Sequence, residues 1–412
     1  MKSSYNDVMV SVLCAAYNHE KFIKDTIEGV INQKTDFKYE LIIHDDASTD
    51  GTAQIIRKYE EAYPEIIKPI YQSENQFKKC KILPTFLFPK VTGKYIALCE
   101  GDDYWIDENK LQKQIDFLEE HKDYSMCIHN AIKLNVETGE KKLLNPFKQT
   151  GTYSQREQIA MGLGTDFPAF ASYVLRAELL KDMPSFFVEA SVLDYPLRQY
   201  YASKGKVYYF EEPMSVYRAM TPLSRMRTFS KDQEAYNNYT LGMIRFYEQF
   251  NQYTEEKDAD LLNCKIESDY LGFCVSCEKE RGIQKALDQG MDMEMIYKCY
   301  DCISDKYIER ETAQLREQSK HIFIYGTSRL AAVCKRQLED CGIEFEGFVV
   351  SDSQMKSDTM EGKEVYYLSE VVAKYDNPGF ILAVQPVNMN VIVGILEEND
   401  IKNYCKPYMV KL

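Results

Sequence analysis

Two hydrophobic periods alternate along the first third of the chain. Residues 8–16, VMVSVLCAA, form a short apolar run bounded by polar sequence, which predicts a strand. Residues 19–33 carry apolar positions at helical spacing. The order then repeats. A strand over 39–46 ends in acids, and a helix over 48–63 opens on the capping stretch STDGT. Strands over 66–72, 94–100 and 124–135 follow, with an amphipathic helix over 110–121 before the last of them. Strands alternating with helices predict an α/β fold with a mostly parallel sheet covered on both faces. Ligands of such sheets bind beyond the carboxyl ends of the strands. Two of these strands end in paired acids, Asp45-Asp46 and Asp102-Asp103.

Residues 136–228 are less regular. A short helix is expected near 154–164, a strand then a helix over 171–183, a helix over 191–205, and strands broken by Pro213 over 206–218. Residues 229–318 are strongly helical and mixed in charge, without a catalytic pattern. They suit linking, packing or dimerisation, so a homo-oligomer is among the expectations. A new unit starts near 319. Residues 321–352 read as strand, tight turn, helix and strand, and 378–401 repeat that order, which predicts a second, small α/β domain. The expected division is 1–228, 229–318 and 319–412.

Composition narrows the function classes. The 412 residues carry a net charge of −14, against a general nucleic-acid binder, which needs a basic face. No apolar stretch approaches the length of a bilayer span, and the N-terminus lacks a signal-peptide pattern. The twelve cysteines are irregularly spaced and read as reduced thiols, so a cytoplasmic protein is expected. Two C-x-x-C pairs, Cys274/Cys277 and Cys299/Cys302, have a spacing that zinc accepts. Both lie in helical segments, where residues i and i+3 share a face, and packing is the favoured reading.

The acids carry the chemistry. The stretch YIALCEGDDYWID (95–107) places adjacent carboxylates at a buried-looking strand end, with Trp105 just behind. Paired carboxylates are costly unless a proton or cation compensates. Mg²⁺ or Mn²⁺ would do so, completing its shell with phosphate oxygens. With "VSVLCAAYNHEKFIKDTIEGVINQ" (10–33), "ELIIHDDASTDGT" (40–52) and "GKYIALCEGDDYWIDENKLQKQIDFLE" (93–119) in this order, the first domain resembles an inverting family-2 glycosyltransferase of the GT-A fold. The resemblance fades toward residue 220 and does not cover the remainder.

The resemblance implies a nucleoside-diphosphate sugar donor, UDP-linked, and a glycan or lipid-linked glycan acceptor in surface-polysaccharide assembly. That acceptor would bring the protein to the inner face of the membrane as a peripheral partner. It also implies roles. Tyr17 would lie against the nucleotide base and Asp46 would hydrogen-bond the base ring. Asp102 would face the ribose or sugar, and Asp103 would ligate the metal that bridges the diphosphate. Trp105 has two readings, shaping the acceptor side or packing under the motif. An inverting transfer needs a base for the acceptor hydroxyl, and Asp194, opening the helix YPLRQYY, matches the family's acid; Glu189, Glu211 and Glu212 are its rivals.

Some positions depart from the pattern. Met220 stands where a histidine is expected, and Arg218, Arg225 or Arg227 is left as a candidate contact to the diphosphate. The run QFKKCKILP after Glu74-Asn75 replaces a glycine-rich turn. His44 and His129 lie on strands and read as packed. In the last domain, IFIYGTSRLA keeps Gly326 of a G-x-G-x-x-G pattern, with Ser328 and Ala331 at the other two places. Asp352, at the next strand end, would meet a ribose hydroxyl if a second nucleotide bound there. A structural role for this domain competes with that reading. Two rivals to the whole assignment are a sugar-phosphate nucleotidyltransferase, whose glycine-rich loop is replaced by AAYNHEKF, and a non-catalytic nucleotide-binding or scaffolding protein.

Overall fold

The computed structural model describes residues 8–77, 79–147, 149–161, 167–222 and 224–409. Chain contacts divide it into two compact units, 1–232 and 233–412.

The first unit runs β1 (Val10–Ala16), α1 (Ile23–Ile31), β2 (Tyr39–Asp45), α2 (Thr52–Ala62), β3 (Ile67–Tyr71), β4 (Tyr95–Leu98), β5 (Tyr104–Trp105), α3 (Lys110–Glu120), β6 (Tyr124–Asn135), β7 (Lys141–Leu143), β8 (Gly151–Tyr153), α4 (Gln155–Met161), β9 (Val174–Arg176), α5 (Ser185–Glu189), α6 (Asp194–Lys204), β10 (Lys206–Ala219) and α7 (Arg225–Lys231). The main sheet has the order β3-β2-β1-β4-β9-β6-β10-β5. β3, β2, β1 and β4 are parallel. β9 lies antiparallel between β4 and β6. β1 and β4 are buried almost throughout, as expected of strands covered on both faces. Val12, Ile27, Leu41, Ala97 and Ile115 form part of one core between sheet and helices. Because β1, β2 and β4 run in parallel, their carboxyl ends emerge side by side and carry Tyr17, Asp46 and the Asp102-Asp103 pair on one edge.

Two local expectations change. α1 begins at Ile23, since residues 19–22 form a hydrogen-bonded turn in which Phe22 and Ile23 both donate to the His19 carbonyl. Pro213 does not break the strand that contains it. β10 runs through it, with register shifts against β6 on either side. A bulge absorbs the missing N–H without ending the ladder.

The second unit begins with five helices, α8 (Gln233–Tyr253), α9 (Ala259–Ser276), α10 (Lys279–Asp288), α11 (Met293–Cys302) and α12 (Asp305–Gln318). Then come β11 (Ile322–Tyr325), α13 (Arg329–Asp340), β12 (Gly347–Val350), β13 (Thr359–Met360), β14 (Lys363–Tyr367), α14 (Leu368–Lys374), β15 (Gly379–Leu382), α15 (Pro386–Glu398) and β16 (Tyr404–Cys405). The strand order is β13-β14-β12-β11-β15-β16, a Rossmann-like sheet parallel except at β13. The helical run packs within this unit: the Val387 amide at the start of α15 donates to Ser268 Oγ of α9 at 3.0 Å. Cys274 and Cys299 meet thiol to thiol between α9 and α11, and that hydrogen bond together with burial pushes the Cys299 thiol up. Among the described residues, no helix is long and apolar enough to cross a membrane.

Candidate active site at the carboxyl edge of the first sheet

The acidic pair is placed by a turn that crosses the end of β1. Gly101 donates its amide to the Ala15 carbonyl at 3.0 Å. A Cβ at Gly101 would meet His19 Nδ1 at 2.7 Å and Ala15 O at 3.1 Å, so only glycine permits this approach. Asp102 is half-buried and its Oδ2 accepts from Thr221 Oγ1 at 3.0 Å. Asp103 is buried. Its Oδ1 accepts from the Arg218 amide at 2.8 Å, while Oδ2 is buried without a hydrogen-bond partner. Burial first, then the charges of Asp102 and Glu100, push its carboxyl well above the usual range. An orphaned oxygen on a carboxylate that resists ionisation is what a divalent cation would satisfy. The unpartnered oxygen of Asp103 is chemically suited to a hard cation, and among the described residues no group of three or more His, Cys, Asp or Glu side chains is gathered to hold one.

The β1–α1 and β2–α2 loops are laced together. Asn18 Oδ1 accepts from the Thr49 amide at 2.7 Å, and the Gly51 amide donates to Glu20 Oε2 at 3.1 Å. Tyr17 is half-buried one residue beyond β1. Asp46 is buried, with Oδ1 accepting from the Gln76 amide at 2.8 Å and Oδ2 from the Phe77 amide at 3.1 Å. The carboxylate expected to meet a base thus also anchors the 74–77 turn, the stretch that replaces a glycine-rich turn.

Asp194 is the first residue of α6 and is half-buried. Its Oδ1 accepts from the Tyr195 amide at 2.8 Å. Burial, and then the charges of Asp103, Glu100, Asp102 and Asp194, push the phenol of Tyr217 on β10 up. The rival acids are engaged elsewhere or exposed. Glu189 is exposed, Glu211 accepts from the Thr150 amide at 3.4 Å, and Glu212 pairs with Lys113 at 2.8 Å.

Of the two readings of Trp105, its burial favours packing under the motif. It is 4% exposed, its Nε1 donates to the Ala171 carbonyl at 3.0 Å, and Lys110 Nζ stands 4.0 Å from its ring centre. Burial lowers that lysine to about 7. Arg218 is engaged with the acidic turn and with α1. Its side chain is buried, its Nη1 donates to the Asp102 carbonyl at 2.9 Å, and its Nη2 pairs with Asp25. The side chains of Arg225 and of Lys78 lie outside the described residues. Sequence reasoning missed Asp25, Thr221 and Tyr217.

In the second unit Gly326 adopts φ +122°, and a Cβ there would meet the Ala383 carbonyl at 2.8 Å. Ser328 caps α13 by position, and Ala331 is buried. The Asp352 carboxylate is held by the hydroxyl and, at 3.3 Å, the amide of Ser369. These contacts place it at the start of α14.

His129 behaves as a packed residue. Its Nδ1 lies 2.6 Å from the Asn130 carbonyl, and burial holds the imidazole well below the usual histidine range. Burial lowers His44 as well. The unfolded chain takes up these protons near pH 6.5 and the folded chain does not. Stability is therefore complete above that pH and falls below it, by at most about 1.4 kcal/mol per pH unit for each histidine. The raised Asp103 has the opposite sign, so the isolating measurement is a difference. Melting curves from pH 7.5 to 5.5 should fall more steeply for the wild type than for His129→Gln.

A mixed sheet whose parallel half presents acids at one edge defines a GT-A-type nucleotide-sugar transferase fold. Residues 11–183 match the family model described as glycosyl transferase family 2. The uncharacterized protein Rv1520 of Mycobacterium tuberculosis is 33% identical over 217 residues, covering 51% of this chain and 58% of that protein. The Escherichia coli enzyme named UDP-Glc:alpha-D-GlcNAc-diphosphoundecaprenol beta-1,3-glucosyltransferase WfaP is 36% identical over 116 residues, 28% of this chain and 43% of its own. The chain thus spans about half the length of these relatives. A crystal structure of S. aureus TarS in complex with UDP superposes with a TM-score of 0.50 at 17% identity, covering 86% of this chain and 98% of that one. At that identity the likeness is one of fold.

Proposed function

We propose that the protein is an inverting, metal-dependent glycosyltransferase. It moves a sugar from a nucleoside-diphosphate sugar to a hydroxyl of a glycan or lipid-linked glycan in surface-polysaccharide assembly. The observation that carries this reading is the Asp102-Asp103 pair at the sheet edge, with a buried carboxylate oxygen left for a cation. The name of WfaP and the ligand of TarS support a UDP-linked donor.

Tyr17 and Asp46 receive the base, Asp102 the ribose or sugar, and Asp103 holds Mn²⁺ or Mg²⁺. When bound, the cation acts as a Lewis acid for the departing diphosphate. Asp194 takes the proton of the acceptor hydroxyl. The acceptor oxygen forms its bond to the anomeric carbon from the face opposite the diphosphate. The bond from that carbon to the phosphate oxygen breaks, and its electron pair leaves with the nucleoside diphosphate. Configuration inverts because one displacement occurs.

Calorimetric titration with UDP, with and without Mn²⁺, tests the reading. Binding that strengthens at least tenfold with Mn²⁺ is the expected result. Folded protein that binds neither UDP nor GDP, CMP or dTDP under either condition would overturn it.

A further inference from the structure

Arg218 leaves β10 and crosses beneath the acidic turn. Its guanidinium lies 4.2 Å from the ring centre of Tyr104 and 5.1 Å from that of Phe22. The side chain is 7% exposed, against 48% for its partner Asp25 on α1. One residue thus holds three parts of the turn. Nη1 takes the Asp102 carbonyl, the backbone amide takes Asp103 Oδ1, and the guanidinium face covers Tyr104. The chain then turns through Met220 at φ +65°, a strained value for a side chain of that size, and delivers Thr221 Oγ1 to Asp102 Oδ2. Residues 218–221 form a clip around both acids.

The guanidinium uses two of its five N–H groups on Asp102 and Asp25, and its side chain is 7% exposed. Its planar fork suits several fixed acceptors and an aromatic face at once, which a lysine ammonium cannot match. Asp25 neutralises the charge from the far side and sets the direction of the fork. We infer that Arg218, oriented by Asp25, is a positioning residue: it fixes the acidic turn so that the Asp103 carboxylate meets the cation. This rests on the proposed transferase reading for what the turn binds, but the clip itself is a property of the ligand-free chain.

The test uses Asp25→Asn, Arg218→Lys and the double variant in the full chain, with two readouts. The first is amide hydrogen exchange over residues 100–105 without ligand. The second is the UDP affinity gained on adding Mn²⁺. Exchange in the turn should rise in Asp25→Asn while the other β4 and β1 amides stay protected. The Mn²⁺-dependent gain should fall about tenfold, the scale of lost supporting contacts at metal sites, with metal-free UDP affinity unchanged. The double variant should be no worse than Arg218→Lys. A merely structural pair would lower the melting temperature and leave the gain intact, which would overturn the inference. Loss of metal-free UDP affinity would make Arg218 a phosphate contact and overturn it too. Wild type that binds no nucleotide would sink the transferase reading alone, and hydrogen exchange would still decide the clip: unchanged exchange in Asp25→Asn would reject it.

Discussion

Replacing Asp103 by Asn is expected to abolish the Mn²⁺-dependent part of UDP binding and to lower sugar transfer by about 10³-fold or more, the scale of losing one preorganised electrostatic contact in an active site. The substitution keeps the size of the side chain and leaves an oxygen to accept the Arg218 amide, so the turn retains its hydrogen bond. What it removes is the charge on the buried oxygen that has no other partner. Stability should move the other way. Burial and the neighbouring acids already oppose ionisation of Asp103. Its folded pKa therefore lies above the unfolded value, and its ionisation costs stability as pH rises through the folded pKa. In EDTA at pH 7.5 the variant should melt at or above the wild-type temperature. With Mn²⁺ and UDP present the order should reverse, because only the wild type gains from ligand. Wild-type metal-dependent binding by Asp103→Asn would remove the acidic pair from the diphosphate site.

The parts of this site that were legible in the sequence are those that depend on neighbours along the chain. β1, β2 and β4 show as apolar runs because both their faces are buried, and the acids after them mark the strand ends. The Gly101 approach is local too. The clip is not. Arg218 and Asp25 are separated by 193 positions, and nothing near either residue announces the other. Trp105 lies two residues beyond the acids, but only the sheet shows that it pairs with Ser215 and that its indole meets the Ala171 carbonyl. Pro213 was read as a break because a proline cannot donate to a ladder, whereas the bulge that accommodates it depends on β6. Asp352 matched a ribose contact by position, yet its carboxylate is taken by Ser369, 17 residues later. In the second unit, the helical run gave no pattern pointing to the Rossmann-like sheet, and Ser268 joining α15 is a contact across 119 residues.

Asp194→Asn should separate chemistry from binding. General-base catalysis contributes roughly 10² to 10⁴-fold, so transfer should fall by about 10³, while UDP affinity in Mn²⁺ stays within about twofold of wild type because the acid lies on the acceptor side. The fold should tolerate the change. Asn keeps an oxygen to accept the Tyr195 amide that Asp194 Oδ1 accepts at 2.8 Å, and losing the charge in the first turn of α6 costs at most about 1 kcal/mol. A capping role alone would then leave transfer intact, which distinguishes it from a base. The contrast with its rivals sharpens the test. Glu212 is held by Lys113 of α3 and Glu211 by the Thr150 amide, so Glu211→Gln and Glu212→Gln should transfer at near-wild-type rates. Of the four candidate acids, Asp194 alone is among the charges that raise the Tyr217 phenol, together with Asp103, Glu100 and Asp102. Near-normal transfer by folded Asp194→Asn would move the base to Glu189, and Glu189→Gln would then carry the loss.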